Sequence, residues 1–197
     1  NSVMRTILTP NMMEVLARNY SRNIDKVKAF EIGNTFMANM LDSDALPDEQ
    51  YSLCIGMYGK DEDFFSLKGV IVELLKVLGI KEAVFEAESQ YGVYHPGRCA
   101  RISSERKNED GEALFDELGI MGEIHPDVAE TYGMDGVRVY CCELMFDAIM
   151  RHADTEKTYT PLPKYPSTSR DIALLVDEDM AVGRIEEIIK KYGKSIL

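Results

Sequence analysis

The sequence predicts an α+β fold: a mostly antiparallel sheet flanked by helices, followed by a shorter β-then-α unit. Three observations carry this. Phe30, Ile32 and Phe36 are separated by Glu31, Asn34 and Thr35, the alternation of a strand with one buried face. Tyr51, Leu53, Ile55 and Met57 alternate in the same way. Between Phe64 and Leu78 the period changes, and Phe64, Leu67, Ile71, Leu74, Leu75 and Leu78 recur at helical spacing.

The elements follow in order. Val3–Leu8 (VMRTIL) is an extended piece with one basic residue, Arg5. Thr9-Pro10 opens the first helix, threonine as N-cap and proline in the first helical position. Met12, Leu16 and Tyr20 give it an apolar face. Lys28–Met37 is expected to be the central strand, with Phe30 and Ile32 buried, and Gly33 marks a bulge or a close approach. Asn39–Gln50 reads as a loop and Tyr51–Tyr58 as a half-buried strand. Asp61–Asp63 supplies negative charge to the start of the long helix. That helix should bury Leu67, Ile71 and Leu74, end at Gly79, and tolerate Gly69 if another element packs closely there.

Beyond it, Ala83–Glu88 is a strand, Tyr91–Arg98 a rigid loop and Cys99–Ser103 a strand. Asn108–Gly111 is a turn, Leu118–Ile124 a strand, Pro126–Tyr132 a short helix and Val137–Phe146 a long strand. Asp147–His152 adds one or two helical turns. Residues 1–154 are expected to form one domain and 155–169, with three prolines and four threonines, a linker. In 170–197, Ile172, Leu174 and Val176 alternate as a strand, and Val182, Ile185, Ile189 and Tyr192 form the face of a helix.

A chain of 197 residues, 45% hydrophobic and 28% charged, can bury a core without covalent staples. The formal net charge of −12 argues against general affinity for phosphate backbones or anionic membranes. The acidity is uneven: from Thr160 onward six basic residues balance six acidic ones, and Arg184, Lys190, Lys191 and Lys194 fall on the last helix. The four cysteines, at 54, 99, 141 and 142, form no C-x-x-C pair and, with three histidines, no zinc spacing. They read as buried reduced thiols, with Cys141 and Cys142 on opposite faces of one strand. No signal peptide and no apolar run near 18 residues is present, so a cytoplasmic protein is expected. The chain begins inside an element and stops where another begins, which reads as a fragment at both ends.

Several residues are candidates for chemistry. His95 and His125 each precede a proline, and with Glu123 they would suit acid–base work or a metal ion in a stand-alone enzyme; with no third ligand at a telling spacing, a backbone bond in a fixed turn is the preferred reading of each imidazole. The acids of Asp61–Asp63, Asp177–Asp179 and Glu186-Glu187 read as solvated charge, and the early methionines Met4, Met12, Met13, Met37 and Met40 as core filling. Neither a G-x-x-x-x-G-K-[ST] nor a G-x-G-x-x-G phosphate loop occurs, nor a G-x-S-x-G elbow.

Five blocks in order then look familiar: VMRTILTP (Val3–Pro10), FEIGNTF (Phe30–Phe36), DFFSLKG (Asp63–Gly69), HPGRCA (His95–Ala100) and GEIHPDV (Gly122–Val128). Together the chain resembles the beta chains of bacterial phenylalanyl-tRNA synthetases, over nearly its whole length. The resemblance implies a class II synthetase-like sheet. It also implies that Lys164–Val176 (KYPSTSRDIALLV) begins a ferredoxin-fold anticodon-binding domain, left incomplete here. The matching motif residues are Arg5, Glu31, Gly33, Lys68, Gly69, His95, Pro96, Gly97, Arg98, Glu123, His125 and Pro126, read as structural. In that family the alpha chain binds ATP and phenylalanine, and ATP and Mg belong to the holoenzyme, with no cofactor expected in this segment. The alpha subunit and tRNA are the implied partners, with Arg170, Lys190, Lys191 and Lys194 as implied tRNA contacts.

The resemblance further implies a segment without catalysis. Class II sites grip the nucleotide with paired arginines, but Met37, Ala38 and Asn39 follow Phe36, and Arg151 follows CCELMFDAIM without a preceding Gly-x-Gly. Asn34 stands where the family usually has arginine and Cys99 where serine is usual; Ser104–Leu118 is longer than expected. The dimer-interface helix, editing module and other tRNA-binding modules of the family would lie upstream of Asn1. A plain protein-interaction module is the other reading of the same features.

Overall fold

The structure is a computed structural model that describes residues 3–38, 45–80, 83–107, 113–156, 159, 161, 164, 166, 168–178 and 180–193. The chain divides into two units, residues 1–157 and 158–197.

The first unit is built on six strands: β1 (Val27–Met37), β2 (Asp48–Tyr58), β3 (Ala83–Ala87), β4 (Tyr94–Lys107), β5 (Ala113–Ile124) and β6 (Val139–Met145). They form one sheet in the order β1-β2-β6-β5-β4-β3, every pair antiparallel. Four helices accompany it: α1 (Thr9–Tyr20), α2 (Phe64–Val77), α3 (Pro126–Thr131) and α4 (Phe146–His152).

Each face of the sheet carries its own core. On one, Leu53, Ile55 and Met57 of β2 and Cys142 and Leu144 of β6 pack with Leu67, Ile71 and Leu75 of α2 and Ala148 and Ile149 of α4. On the other, Cys54 and Tyr58 of β2 and Val139 and Cys141 of β6 pack with Met12, Met13 and Leu16 of α1 and Ala129 of α3. The period of two therefore sends Cys141 and Cys142 to opposite cores. All four cysteines are buried and free. A side chain at Gly56 would collide with Met12 and Leu16, so glycine there lets α1 lie against β2.

Several expectations are corrected. Lys28–Met37 is an edge strand, and Phe30 and Ile32 are 72% and 50% exposed. The alternation is real, but α2 lies over the inner strands β5 and β6 and α4 over β2, which leaves that face of β1 bare. β2 is buried on both faces from Ser52 to Tyr58, not half-buried, because helices cover it from both sides. Asp48–Gln50, read as loop, already belongs to β2. On α2 the third buried position is Leu75; Leu74 is only partly covered. Gly69 is exposed with nothing near it, so no close packing accounts for it.

Tyr91–Arg98 is not a free-standing loop. β4 starts at Tyr94, and its register with β5 jumps between Tyr94 and Cys99, a bulge that absorbs Pro96 and Gly97. The flanking strands are longer than expected, and the turn expected at Asn108–Gly111 lies outside the described residues. Met12 and Met13 fill core, whereas Met4 and Met37 are exposed; Met40 lies outside the described residues. Of the acids at Asp61–Asp63, Asp63 caps α2 by accepting the Ser66 backbone N–H at 2.6 Å. Glu62 is not solvated: its side chain is 3% exposed and pairs with Lys26 and Lys28 at 2.6 and 3.0 Å.

In the second unit, α5 (Val182–Gly193) forms as expected, with no fully buried residue. Asp171–Val176 is not a strand. A strand needs a neighbour for its backbone groups, and the described residues of this unit supply none.

Candidate functional site

Sequence alternation builds β1 and β2 side by side, and the turn into α1 brings the chain start across their ends. Leu8 precedes α1 without a side-chain cap, and Thr9, the expected N-cap, is its first residue. The amides at this helix start, which the helix itself leaves unpaired, are satisfied from far away. The Leu8 and Thr9 backbone N–H groups donate to the Glu143 carboxylate at 2.7 and 3.0 Å, and the Thr9 hydroxyl donates to it at 2.6 Å. Glu143 on β6 is thus the cap, placed where the helix dipole favours negative charge.

Beside this contact the sheet opens into a cleft of about 280 Å³. Ile7, Met37, Val93, Ile120 and Met145 give it apolar walls; Thr35, Gln50 and Ser52 give it polar groups. The Thr35 hydroxyl donates to the Gln50 carbonyl at 3.1 Å and stands 3.4 Å from the Ser52 hydroxyl. Its charged lining residues are two acids, Glu117 and Glu143; no lysine or arginine is among them. None of these residues was a site candidate from the sequence; Met37 was read there as core filling. Glu143 left one trace, a lone acid inside the apolar run CCELM, which asks for partners when that run is a buried strand.

The motif residues pair among themselves. Arg5 crosses β1: its Nη1 donates to Glu31 at 2.6 Å, its Nε donates to the Asn34 carbonyl at 2.9 Å, and its carbonyl accepts the Phe36 N–H at 2.9 Å. Gly33 lies beneath, where any side chain would run into the Arg5 guanidinium; β1 keeps an unbroken register, so the glycine marks a close approach and not a bulge. Arg98 grips Glu123 with two parallel bonds of 2.6 and 2.9 Å, and Glu123 is 3% exposed.

The histidine reading does not assemble. Glu123 is taken up by Arg98. The Nδ1 of His95 accepts the Gly97 N–H at 3.0 Å, and that of His125 accepts the Asp127 N–H at 3.3 Å just before Pro126 can start α3. The two rings stack 6.4 Å apart, and the third histidine, His152, bonds Asp116 at 3.0 Å. Among the described residues no group of three or more His, Cys, Asp or Glu is placed to hold a metal ion. The thiols are held as thiols: burial pushes Cys54, Cys141 and Cys142 up, and Cys99 up to about 11.

Lys68 sits over the Phe85 ring at 4.7 Å, away from the cleft, and Gly69 faces solvent. Arg151 on α4 lies 4.0 Å from Asp116 on β5 and is not part of the cleft. In the second unit Arg170, Lys190 and Lys191 are exposed; Lys194 lies outside the described residues.

The fold resembles that of a solved tRNA synthetase. A solved pyrrolysyl-tRNA synthetase from Desulfitobacterium hafniense superposes with a TM-score of 0.54 at 19% identity, covering 74% of this chain and 48% of that one. The family model for the phenylalanyl-tRNA synthetase beta chain CLM domain matches residues 1–146, and the chain belongs to that family. It is 39% identical over its whole length to a phenylalanine–tRNA ligase beta subunit of Clostridium tetani, and 41% identical to one of Clostridium acetobutylicum. It spans 23% of the length of each. Among the described residues no helix is long and apolar enough to cross a membrane.

Proposed function

We propose that this chain works as a non-catalytic part of the beta subunit of phenylalanine–tRNA ligase, in the cytoplasm. It supports attachment of phenylalanine to tRNA by holding the alpha subunit and by meeting tRNA, while ATP and Mg act elsewhere in the holoenzyme. The observation that carries this is the charge of the cleft. A site for ATP needs cations aimed at the phosphates, and this one offers Glu117 and Glu143 and no arginine or lysine. ATP therefore does not fit the residues present.

Two further features support the reading. Phe30 and Ile32, with Leu53, Ile55, Met57, Val70 and Leu74, line an apolar groove of about 350 Å³ along β1, a surface of the kind that packs against a protein neighbour. The basic residues Arg170, Lys190 and Lys191 lie exposed in the second unit, free to approach phosphates. The test is phenylalanine-dependent exchange of pyrophosphate into ATP. The chain alone should give none, and the assembled holoenzyme should give full exchange. Turnover by the chain after host synthetase has been removed would overturn the reading.

A further inference from the structure

We propose that the cleft beside Glu143 is a binding site for a small molecule carrying a primary ammonium group on a compact apolar or aromatic body. This goes beyond the silent-partner reading: a cleft unsuited to a triphosphate remains free to take a small cation.

The shape and walls define the body. A volume of about 280 Å³ lies at the small end of ligand pockets, enough for a single ring or a branched chain. Ile7, Val93, Ile120, Met37 and Met145 supply apolar contact, and the Tyr91 and Tyr94 rings lie side by side, 6.0 Å between centroids.

The charge defines the head group. Both charged side chains lining the cleft are carboxylates, in a chain of net charge −12. Anions are repelled and cations drawn in. Glu143 accepts three hydrogen bonds from Leu8 and Thr9. A carboxylate offers about four acceptor directions, so one remains for a donor from the cleft. Glu117 is bound to Arg101 at 3.0 Å yet half exposed, and sets the potential at the mouth. The Thr35 and Ser52 hydroxyls add acceptors deeper in.

A separate observation comes from Tyr94. It lines the cleft, is 3% exposed, and its buried hydroxyl makes no hydrogen bond of ordinary geometry among the described residues, with the Thr9 side chain as a polar neighbour. Buried polar groups in folded proteins are almost always paired, and Tyr94 is one of the residues that line this cleft.

Three probes of one shape separate the terms: benzylamine, benzyl alcohol and benzoate, titrated into the chain and followed by its backbone amide resonances. Benzylamine should bind with a dissociation constant on the order of 1 mM or tighter, benzyl alcohol about tenfold more weakly and benzoate not detectably. The shifts should centre on Thr35, Ser52, Gly119 and Ile120. Glu117→Lys should weaken benzylamine severalfold in a chain whose dispersed amide spectrum shows it still folded, the lost pair with Arg101 lowering the melting temperature only slightly. Ile120→Trp should close the cleft to benzylamine and benzyl alcohol alike. The proposal is overturned if benzylamine moves no cleft resonance, if benzoate binds as well as benzylamine, or if Glu117→Lys leaves the affinity unchanged in a folded chain.

Discussion

Glu62 is a carboxylate almost removed from water between two lysines whose own side chains are about half exposed. Burial opposes its ionisation, but the hydrogen bonds from Lys26 and Lys28 outweigh this and hold its carboxyl below the ordinary value of 4.5. A carboxyl with a lowered folded-state value stabilises the fold above its unfolded value, and that contribution is lost as pH falls through the folded one. Glu62→Gln should therefore unfold at lower urea than the parent near pH 7, and the gap should narrow as pH drops below about 4.5. Paired urea midpoints at the two ends of that range measure it; a gap constant with pH would mean the loss is steric. At this scale the sequence was only half readable. Arg5, Glu31, Arg98 and Glu123 stand out as motif residues, yet their pairing crosses 26 and 25 positions and becomes visible only when the strands are laid side by side. Glu143 was hidden for the same reason, since its partners lie 134 and 135 positions away.

On the element scale, periodicity told helix from strand well, and α2 shows both its strength and its limit. Leu67 and Ile71 are buried as the spacing requires, but Leu75 takes the place expected for Leu74, because the helix meets the sheet a little rotated from the mean of its apolar arc. Ile71→Ala should cost about 2–5 kcal/mol, as a fully buried branched side chain does. Phe30→Ser should change the stability of this chain by less than about 0.5 kcal/mol, since the ring is mostly in water. Chemical denaturation of both variants checks the pair; a large loss at Phe30 would mean that the edge of β1 is covered. Alternation fixes which residues share a face of a strand. It says nothing of which face a helix will cover, and β1 was misplaced on that account. The segment Asp171–Val176 failed differently: its pattern suits a strand, but pairing needs a second strand that the pattern cannot provide.

For the whole molecule, the antiparallel sheet between two helical layers was legible, and its strand order was not, because order depends on contacts distant in sequence. That order has a consequence in time. β1 with β2, and β3 with β4 and β5, can each pair through short connections as soon as they exist. Among the described strands the two halves are joined in the sheet by β6, which lies between β2 and β5. The same late strand carries Glu143, on which the start of α1 depends. Chain growth at roughly 5–20 residues per second leaves the first helix waiting several seconds or more for its cap, and each half with an open edge meanwhile. A chain cut after Arg138 should hold hairpins but show no cooperative melting, and supplying β6 as a separate peptide should restore it. Cooperative unfolding without β6 would show that the halves find each other some other way. For a ribosome making this segment, the sequence from Val139 to Met145 is the moment at which two loose ribbons become one protein.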